Sequence, residues 1–459
     1  MRFRASSDAL AAGLLFIAIG ALAGLAPTQS DTWWLLRAGQ DIWRTHSIPV
    51  VDAYSHTARG LYWPNHEWLT EAVFYPLFRL GGLPLVTALC AALIVSAWTL
   101  SWRLCEPVFE VRFLPFAVSL ASASAAWAVR PQAFTMLAFV ATCWLLVSRR
   151  YFWLPLLMLV WANLHGAVAL GLVAVAAAAV ASLVSERRVP WTLGVVGLLC
   201  FAATCLTPLG LRLWTFIPES MARSSVNKLI EWQPPDFSVF NWPFWMLAIA
   251  VPLAAIWWRR KLDHRTLTMV VIAIAVLPLA ARAMRNVAIY LLVAVPALTA
   301  LAAPRPARAP RALRGERERV NAAVLLVCGL AAAAIVISLW RLPSRKLGWE
   351  PISARAVEAI DRCDGPLYNT YGDGGVLIWF TPRKPVFIDN RQDPYPMDLL
   401  RANHALEFDA KYESVFAQYG ITCAAVTPGS PLERRLRQDA AWSATFADSQ
   451  WAVFAKATR

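Results

Sequence analysis

The stretch Ser30–Glu71, SDTWWLLRAGQDIWRTHSIPVVDAYSHTARGLYWPNHEWLTE, lies between two strongly apolar segments of the chain. It brings carboxylates and histidines, among them Asp31, His66 and Glu67, into a segment rich in tryptophan. The stretch is far longer than the connections that usually join neighbouring helices. If the flanking segments cross a membrane, it forms a polar and aromatic insert at the membrane surface, with water on one side.

The composition predicts a membrane protein. Of the 459 residues, 58% are hydrophobic and 16% are charged, whereas about a quarter of the residues in a soluble domain are charged. Long apolar runs recur through most of the chain, which is typical of a polytopic, all-α membrane protein. The net charge of +14 does not predict a nucleic-acid partner, because the arginines are dispersed between the apolar runs.

The apolar runs predict eleven transmembrane helices, the first of them retained rather than cleaved as a signal peptide. Residues 1–340 would then form the membrane domain. The predicted spans are 8–26, 83–104, 113–129, 132–148, 152–165, 167–184, 191–209, 243–258, 266–281, 286–303 and 320–340.

The basic residues predict the orientation, because cytoplasmic loops are enriched in lysine and arginine. With eleven spans, the basic loops all fall on one side, which we take as the cytoplasm together with the N-terminus. The loops 27–82 and 210–242 and the tail 341–459 would then lie on the outer side. The residues that carry this argument are Arg2, Arg4, Arg149, Arg150, Arg187, Arg188, Arg259, Arg260, Lys261, Arg265, Arg305, Arg308, Arg311, Arg314, Arg317 and Arg319.

The tail 341–459 is predicted to be a separate small α/β domain. Ser353 is a helix N-cap in this prediction, and Gly420 is the C-cap of a helical stretch over 397–420. Gly372–Gly375 would form a turn, and 431–439 a short helix. Strands are predicted at 366–371, 376–380, 385–389 and 421–427, with an edge strand at 451–456.

The eight cysteines fall into two groups. Six lie in or beside apolar runs and are expected to be small core residues. Cys363 and Cys423 lie in the tail, where they can form a disulfide if the tail is extracytoplasmic. The sequence leaves that pairing open, and no zinc-type spacing is present.

The acidic residues of the membrane domain avoid the predicted spans. Every Asp and Glu of residues 1–340 falls in a loop or at a helix end. A charge at the bilayer centre costs about 2.5–3.5 kcal/mol on insertion scales and is usually kept for ion or proton transport. The pattern therefore argues against a proton-coupled transporter.

Several arginines occupy predicted outer helix ends, against the positive-inside bias. They are Arg130, Arg282 and Arg285, and His165 ends a predicted span on the same side. The guanidinium group matches phosphate geometry with two parallel hydrogen bonds. These residues therefore predict a site for a lipid phosphate or pyrophosphate headgroup.

Each candidate residue also has a simpler interpretation, which the sequence leaves open. Asp31 would serve only as a helix cap, and His66 as a loop histidine with satisfied hydrogen bonds. The three arginines would snorkel to headgroups, and most tryptophans would belong to an interfacial belt. We predict that three carboxylates of the tail are turn residues, namely Asp373, Asp389 and Asp393.

The layout resembles the GT-C superfamily of membrane glycosyltransferases, in which an acidic residue follows the first helix in a long outer loop. The stretches DTWWLLRAGQDIWRTHSIPVVDAYSHT (31–57) and LYWPNHEWLTE (61–71) look like a group of bacterial multi-pass proteins placed in that superfamily. Further stretches that look like this group are NLHG at 163–166, IEW at 230–232, RAMRN at 282–286, GDGGVLIWF at 372–380 and PVFIDNRQDPY at 385–395.

The resemblance implies transfer of a sugar from a polyprenyl-phosphate donor to an extracytoplasmic acceptor, which would be a glycan, a lipid or a protein. The site would be at a bacterial inner membrane with the tail in the periplasm. Asp31 matches the superfamily's first-loop catalytic acid and would be the general base. His66 and Glu67 occupy roughly the place where lipid A aminoarabinose transferases carry a His-Lys motif, and the Glu removes a positive contact. The residues expected to contact phosphate or sugar are Arg130, His165, Arg282, Arg285, Trp34 and Trp68.

A divalent cation, Mg²⁺ or Mn²⁺, would have Asp31 as its ligand if the enzyme uses one. Ser30 and Thr32 flank this residue, so the paired acids of some superfamily members are absent.

Other classes of function also stay open. A lipid-linked saccharide transporter or flippase would need a polar path that the apolar spans do not provide. A non-catalytic membrane anchor would not need the outer-face Asp, His and Arg. A glycan ligase or polymerase would use the same kind of donor as a single-sugar transferase.

Overall fold

The computed structural model of the protein describes residues 5–226, 230–258, 262–303, 317–342 and 345–457. The described chain divides into two units. The first comprises 1–27, 84–210 and 230–342, and the second comprises 28–83, 211–229 and 343–459. The basic residues of the orientation argument that lie outside the described ranges are Arg2, Arg4, Arg259, Arg260, Lys261, Arg305, Arg308, Arg311 and Arg314.

The first unit is helical. Its helices are α1 (Ser7–Gly24), most of α3 (Trp68–Leu104), α4 (Phe109–Ser124), α5 (Gln132–Val147), α6 (Leu154–Leu164), α7 (Ala169–Glu186), α8 (Trp191–Thr204), α10 (Trp242–Trp257), α11 (His264–Arg282), α12 (Val287–Ala302) and α13 (Glu318–Arg341). Short 3-10 turns stand at Tyr151–Trp153, Gly166–Val168, Ile230–Trp232 and Met284–Asn286. Helix α12 is apolar on all sides and almost wholly buried, packing against α4, α5, α10 and α11, as expected for a core helix.

Each of the eleven predicted spans overlaps one of these helices. Six segments of the described chain are long and apolar enough to cross a membrane, as in a multi-pass membrane protein. The remaining apolar helices are shorter than the roughly 20 residues that a span needs, so the predicted count of eleven is not confirmed. The six segments are Ser7–Gly24, Trp68–Leu104, Gly166–Glu186, His264–Arg282, Met284–Ala302 and Glu318–Arg341.

The second unit contains both helices and strands. Its elements are α2 (Ser30–Thr45), the start of α3, α9 (Arg212–Val226), α14 (Ala354–Asp361), β1 (Leu367–Asn369), α15 (Gly374–Phe380), α16 (Met397–Asp409), α17 (Glu413–Gln418), β2 (Cys423–Val426), α18 (Pro431–Gln438), β3 (Trp442–Ala447) and β4 (Ala452–Lys456), with a 3-10 turn at Arg345–Leu347. Helix α3 is interrupted at Gly81 and Gly82, the latter at φ +65°. The segment boundary at 342/343 lies close to the predicted start of the tail, and residues of both predicted outer loops belong to the same unit as the tail.

The sheet of the second unit has the strand order β1-β2-β4-β3. Strand β1 pairs with β2 in parallel, and β2, β4 and β3 pair antiparallel in that order. The sheet and the helices α16, α17 and α18 enclose a buried core that includes Tyr368, Phe387, Leu400, Phe416 and Phe454.

Several predictions for the tail are confirmed. The Ser353 hydroxyl accepts a hydrogen bond from the Ala356 N–H at 3.2 Å as the N-cap of α14. Gly420 follows α17 in the left-handed region at φ +61°, although the predicted helix over 397–420 is two helices. Cys363 and Cys423, whose pairing the sequence left open, form a disulfide.

Three strand predictions are wrong. Residues 376–380 form helix α15, because a run of apolar residues without alternation is equally compatible with a buried helix. Residues 385–389 stay outside the sheet and make a single parallel bridge from Val386 to Ser55. Strand β4 is not an edge strand, since β3, which the sequence analysis missed, covers it.

Candidate active site

Asp31 lies in the first turn of α2, where a negative charge is favoured by the helix dipole. The N-cap is Gln29, in a capping box with Thr32, so Asp31 is not the cap residue. Its side chain is buried, with 9% of the residue exposed. Its Oδ1 accepts hydrogen bonds from the Trp34 indole N–H at 3.4 Å and from the Asn390 side-chain amide. Asp31 is therefore a buried carboxylate with oriented donors.

Two glycines allow α15 to approach this end of α2 closely. The Gly375 N–H donates to the Ser30 hydroxyl at 3.1 Å. A Cβ on Gly375 would stand 2.3 Å from the Ser30 carbonyl oxygen, and one on Gly374 would stand 2.1 Å from the Ile388 carbonyl oxygen. Neither position can hold a side chain without moving the backbone. The segment GDGG, predicted to be a turn, thus sets the start of α15 against the residue before Asp31.

Arg391 forms the centre of a fully buried ion-pair network. Its guanidinium donates to Asp52 at 2.6 Å and to both carboxylate oxygens of Asp389, at 2.8 and 2.6 Å. The same group lies over the rings of Tyr54 and Trp63, 4.9 and 4.6 Å from the ring centroids. All three charged side chains are 0% exposed. Burying these charges is tolerable because they are paired and hydrogen-bonded.

The two carboxylates of this network have further donors. Asp52 accepts from the Ser55 hydroxyl at 2.7 Å and from the Ser55 N–H at 3.1 Å. Asp389 accepts from the Tyr395 hydroxyl at 2.5 Å. It also accepts from the Arg391 N–H at 2.9 Å, a local contact of the kind that a turn residue makes. Asp389 therefore combines a turn contact with its contacts in the ion-pair network. The network ties the first long loop to the C-terminal segment within the second unit.

His66 lies between two carboxylates. Its Nε2 is 3.5 Å from a Glu67 oxygen and its Nδ1 is 3.9 Å from an Asp393 oxygen. Burial opposes the imidazolium, but the two carboxylates outweigh it and raise the pKa of His66 to about 9. Burial also raises the pKa of Asp393, to about 7. At neutral pH His66 is thus a cation packed against the ring of Phe216, whose centroid is 4.8 Å from its own.

A basic group forms in the first unit around Glu231. Arg130 donates to both carboxylate oxygens, at 2.7 and 3.4 Å, and Arg285 lies 3.5 Å from one of them. The Arg285 guanidinium also lies over the Trp232 ring at 4.5 Å. Burial disfavours the Glu231 carboxylate, but the arginines and, to a lesser extent, His165 lower its pKa to about 2. Two cations therefore share one permanently ionised carboxylate.

His165 ends α6 in the same unit and is buried, with 5% exposed. Its Nδ1 is 2.7 Å from the Thr135 hydroxyl, which accepts from the Trp161 indole N–H at 2.9 Å. This chain of contacts orients the imidazole. Arg282, the last residue of α11, is exposed, and its side chain makes no ion pair with the part of the chain that the structure describes.

The predicted site residues thus fall into two groups. Asp31, Trp34, His66, Glu67 and Trp68 belong to the second unit, and Arg130, His165 and Arg285 to the first. Trp34 is 5% exposed and meets Trp63 edge to face at 6.0 Å, so its indole supports Asp31. Trp68 is half-buried at the start of α3.

The contacts of residues 389–393, DNRQD, were not predicted from the sequence. Asn390 contacts Asp31, Arg391 holds Asp52, and Asp393 faces His66. The available signal was the concentration of polar residues directly after Val386, Phe387 and Ile388, which are all 0% exposed. Such a polar run at the end of a buried segment marks a place where side chains are needed for hydrogen bonding.

A metal site was tested against the same geometry. Within the described ranges, no group of three or more His, Cys, Asp or Glu side chains is placed to hold a metal ion. The contacts of Asp31 Oδ1 are N–H donors, which suit a hydrogen-bonded carboxylate. The described residues around Asp31 therefore do not fit a divalent cation held by three protein ligands.

No protein-family model and no curated protein matches the sequence. Solved structures do match. ArnT from Cupriavidus metallidurans bound to undecaprenyl phosphate is 16% identical, with a TM-score of 0.52 over 97% of each chain. ArnT in the apo state is 15% identical, with a TM-score of 0.51 over 96% of this chain and 97% of that one.

The archaeal oligosaccharyltransferase AglB from Archaeoglobus fulgidus, in complex with an inhibitory peptide and a dolichol-phosphate, is 10% identical, with a TM-score of 0.55. The match covers 90% of this chain and 69% of AglB. ArnT and AglB are both GT-C membrane glycosyltransferases. At these identities the similarity is one of fold. The chain therefore has the fold of the GT-C superfamily of membrane glycosyltransferases.

Proposed function

We propose that the protein is an integral membrane glycosyltransferase that moves a sugar from a polyprenyl-phosphate donor to an acceptor hydroxyl. The observation that carries the proposal is the placement of Asp31. It is a buried carboxylate in the first turn of the helix after the first apolar helix, held by Trp34 and Asn390. The shared fold supports this, because ArnT and AglB were solved with undecaprenyl phosphate and dolichol-phosphate.

Asp31 would act as the general base. The acceptor hydroxyl loses its proton to the carboxylate, and its oxygen forms a bond to the anomeric carbon of the donor sugar. The bond from that carbon to the phosphate oxygen breaks, and the polyprenyl phosphate leaves with the electron pair. A positioned general base contributes typically about 10²–10⁴-fold to such a rate.

The leaving phosphate needs cations. Arg130 and Arg285 share Glu231, so the three side chains together carry one net positive charge. Guanidinium groups stabilise the negative charge that develops on a leaving phosphate. Arg282 and His165 would assist as further contacts to the headgroup.

His66 and Glu67 have a different role in this proposal. His66 is a cation between Glu67 and Asp393 with 18% of its side chain exposed, and such a paired cation can hold a polar group of the sugar or acceptor by hydrogen bonding. Trp68, half-buried beside them, would offer a ring face to the sugar.

The proposed setting is a bacterial inner membrane, with the N-terminus cytoplasmic and the C-terminal segment periplasmic. The Cys363–Cys423 disulfide supports this side, because disulfides persist in oxidising compartments. The acceptor would be a glycan, lipid or protein of the cell envelope. Mg²⁺ or Mn²⁺ dependence is a separate proposal, made without a three-ligand group among the residues that the structure describes.

The test is binding of undecaprenyl phosphate to the full chain in nanodiscs, followed by sugar transfer. Arg285→Ala should weaken binding about tenfold or more, since a hydrogen bond to a charged group contributes roughly 1.5–3 kcal/mol. Asp31→Asn should bind as the wild type does. Arg149→Ala is the matched control, because Arg149 makes one exposed pair with Glu186 at 2.6 Å.

In the transfer step, a panel of undecaprenyl-phosphate sugars is offered with envelope acceptors. Asp31→Asn should lower the rate about 10²–10⁴-fold while binding is kept. Absence of saturable binding by the wild type would overturn the proposal in favour of a non-catalytic anchor. Binding with movement of the lipid across the bilayer, and without transfer, would point to a flippase.

A further inference from the structure

We infer that Asn390 is a positioning residue for Asp31, so that the C-terminal segment completes the candidate active site. The inference rests on the proposed function, because positioning has meaning only if Asp31 is the base. It assigns a catalytic contribution to a residue 359 positions away from Asp31 in the sequence.

The first support is the geometry at the Asp31 carboxylate. The Asn390 amide and the Trp34 indole N–H both donate to Oδ1. Two donors on one oxygen fix the rotation of the carboxylate about its last bond, which is otherwise broad. Trp34 is on the same helix and moves with Asp31, whereas Asn390 supplies an independent point of attachment.

The second support is the orientation of the Asn390 amide. Its Oδ1 is buried and has no hydrogen-bond partner among the described residues. The amide is therefore oriented by what its NH₂ group donates to. The opposite orientation would place the carbonyl oxygen against the Asp31 carboxylate, where the two would repel.

The third support is the rigidity of the segment that carries Asn390. Its neighbours Asp389 and Arg391 lie in the buried ion-pair network. The Asn390 carbonyl accepts from the Tyr371 hydroxyl at 3.3 Å, and Gln392 donates to the Ser224 hydroxyl at 2.8 Å. Asn390 is thus held on both sides, and an arrangement locked by such surroundings is what a precise catalytic geometry needs.

The fourth support is the lack of space around the contact. A Cβ on Gly374 would stand 2.6 Å from the Asp389 Cα, and one on Gly375 would stand 2.6 Å from the Ser30 hydroxyl oxygen. The start of α15 therefore fits closely between the residue before Asn390 and the residue before Asp31. This close fit fixes the register of the two segments, so that Asn390 is the residue that meets Asp31.

The experiment measures kcat and KM for sugar transfer by the full chain in nanodiscs, using the undecaprenyl-phosphate sugar on which the wild type is active. Asn390→Ala should lower kcat about tenfold while the donor KM stays within about twofold, since the contact acts on the chemical step and not on binding. Asn390→Asp keeps the shape but places a carboxylate against Asp31, and it should lower kcat further. Asn390→Asp also tests the inference if Asn390→Ala fails to fold.

The control is Asn403→Ala, which removes a buried amide of the same segment that donates to Glu407 at 2.9 Å. It should leave kcat unchanged. The decisive comparison is Asn390→Ala in the Asp31→Asn background. A positioning residue causes no further loss there, because the base it orients is already gone.

The outcomes separate the two proposals. If the wild type transfers no sugar from any donor, the proposed function fails. If the wild type transfers sugar but Asn390→Ala and Asn390→Asp keep its kcat, the inference is overturned and the function stands. An equal loss from Asn390→Ala in both backgrounds would also overturn it, because that is the behaviour of a purely structural residue.

Discussion

Two arginine–carboxylate groups in the described part of the chain have opposite stoichiometry. In the second unit one guanidinium, Arg391, serves two carboxylates, Asp52 and Asp389. In the first unit two guanidiniums, Arg130 and Arg285, serve one carboxylate, Glu231. The first group is closed by the rings of Tyr54 and Trp63 and is 0% exposed, whereas the arginines of the second group are 15% and 19% exposed.

The two groups suit different roles. A fully buried cation with two anions and two aromatic faces has its charge compensated, so it acts as a structural link. The partly exposed group of two cations and one anion has a net positive charge, which favours an additional anion. The same residue types therefore serve folding in one unit and are proposed to serve binding in the other.

The largest expected effect is on the fully buried group around Arg391. Arg391→Met leaves Asp52 and Asp389 buried without a cation, and it should destabilise the protein by about 3–5 kcal/mol. The measurement is the thermal unfolding midpoint of the purified full chain. Arg401→Met is the control, because Arg401 and Asp398 form an exposed pair at 3.7 Å of the kind that contributes about 0–1 kcal/mol. Equal losses in the two variants would remove the distinction between the groups.

A smaller effect is expected on the partly exposed group around Glu231. Glu231 is ionised at neutral pH because its pKa is lowered to about 2, and it competes with a ligand for both guanidiniums. Glu231→Gln should therefore tighten undecaprenyl phosphate binding by roughly tenfold or less, the worth of about one charge-assisted hydrogen bond. Binding would also become more sensitive to salt.

The matched control for this measurement is Glu186→Gln, which removes the exposed partner of Arg149. It should leave the affinity for undecaprenyl phosphate unchanged. Weaker binding by Glu231→Gln would mean that the carboxylate is needed to hold the arginines in place. The group around Glu231 would then be a structural link, like the group around Arg391.

The smallest effect concerns pH. The pKa of His66 is raised from 6.5 to about 9 in the folded protein, so its stabilising contribution is complete below pH 6.5 and is lost as the pH rises through 9. The unfolding midpoint should fall over that interval, by the equivalent of about 1 kcal/mol or less, since a partly hydrated pair is weak. His66→Gln should flatten the dependence, and the same replacement of the exposed His46 is the control. A wild-type midpoint independent of pH would show that His66 is not paired in solution.

Local patterns predicted much of the fold. The apolar runs predicted helices in all eleven places, because a helix satisfies its own backbone hydrogen bonds inside an apolar environment. Ser353 and Gly420 were predicted correctly at helix ends, since capping depends on one side chain or one backbone conformation. The number of spans was not confirmed, because several of the helices are shorter than a bilayer requires.

The candidate site was predicted only in part. Asp31, His66 and the arginines were selected as candidates because polar residues in an apolar chain are conspicuous, and their roles stay predictions. The partners of Asp31 and His66 were missed, since Asn390 was given no role and Asp393 was predicted to be a turn residue. No local pattern identifies a pair that is hundreds of residues apart.

Local composition and spacing were enough to predict a multi-pass membrane protein, the positions of its helices and the acidic position after the first helix. The folded chain was needed to show that 376–380 is a helix, that β4 lies inside the sheet, and that Asn390 contacts Asp31. These outcomes depend on which distant surfaces pack together. In particular, Gly374 and Gly375 permit an approach that no property of either segment alone predicts.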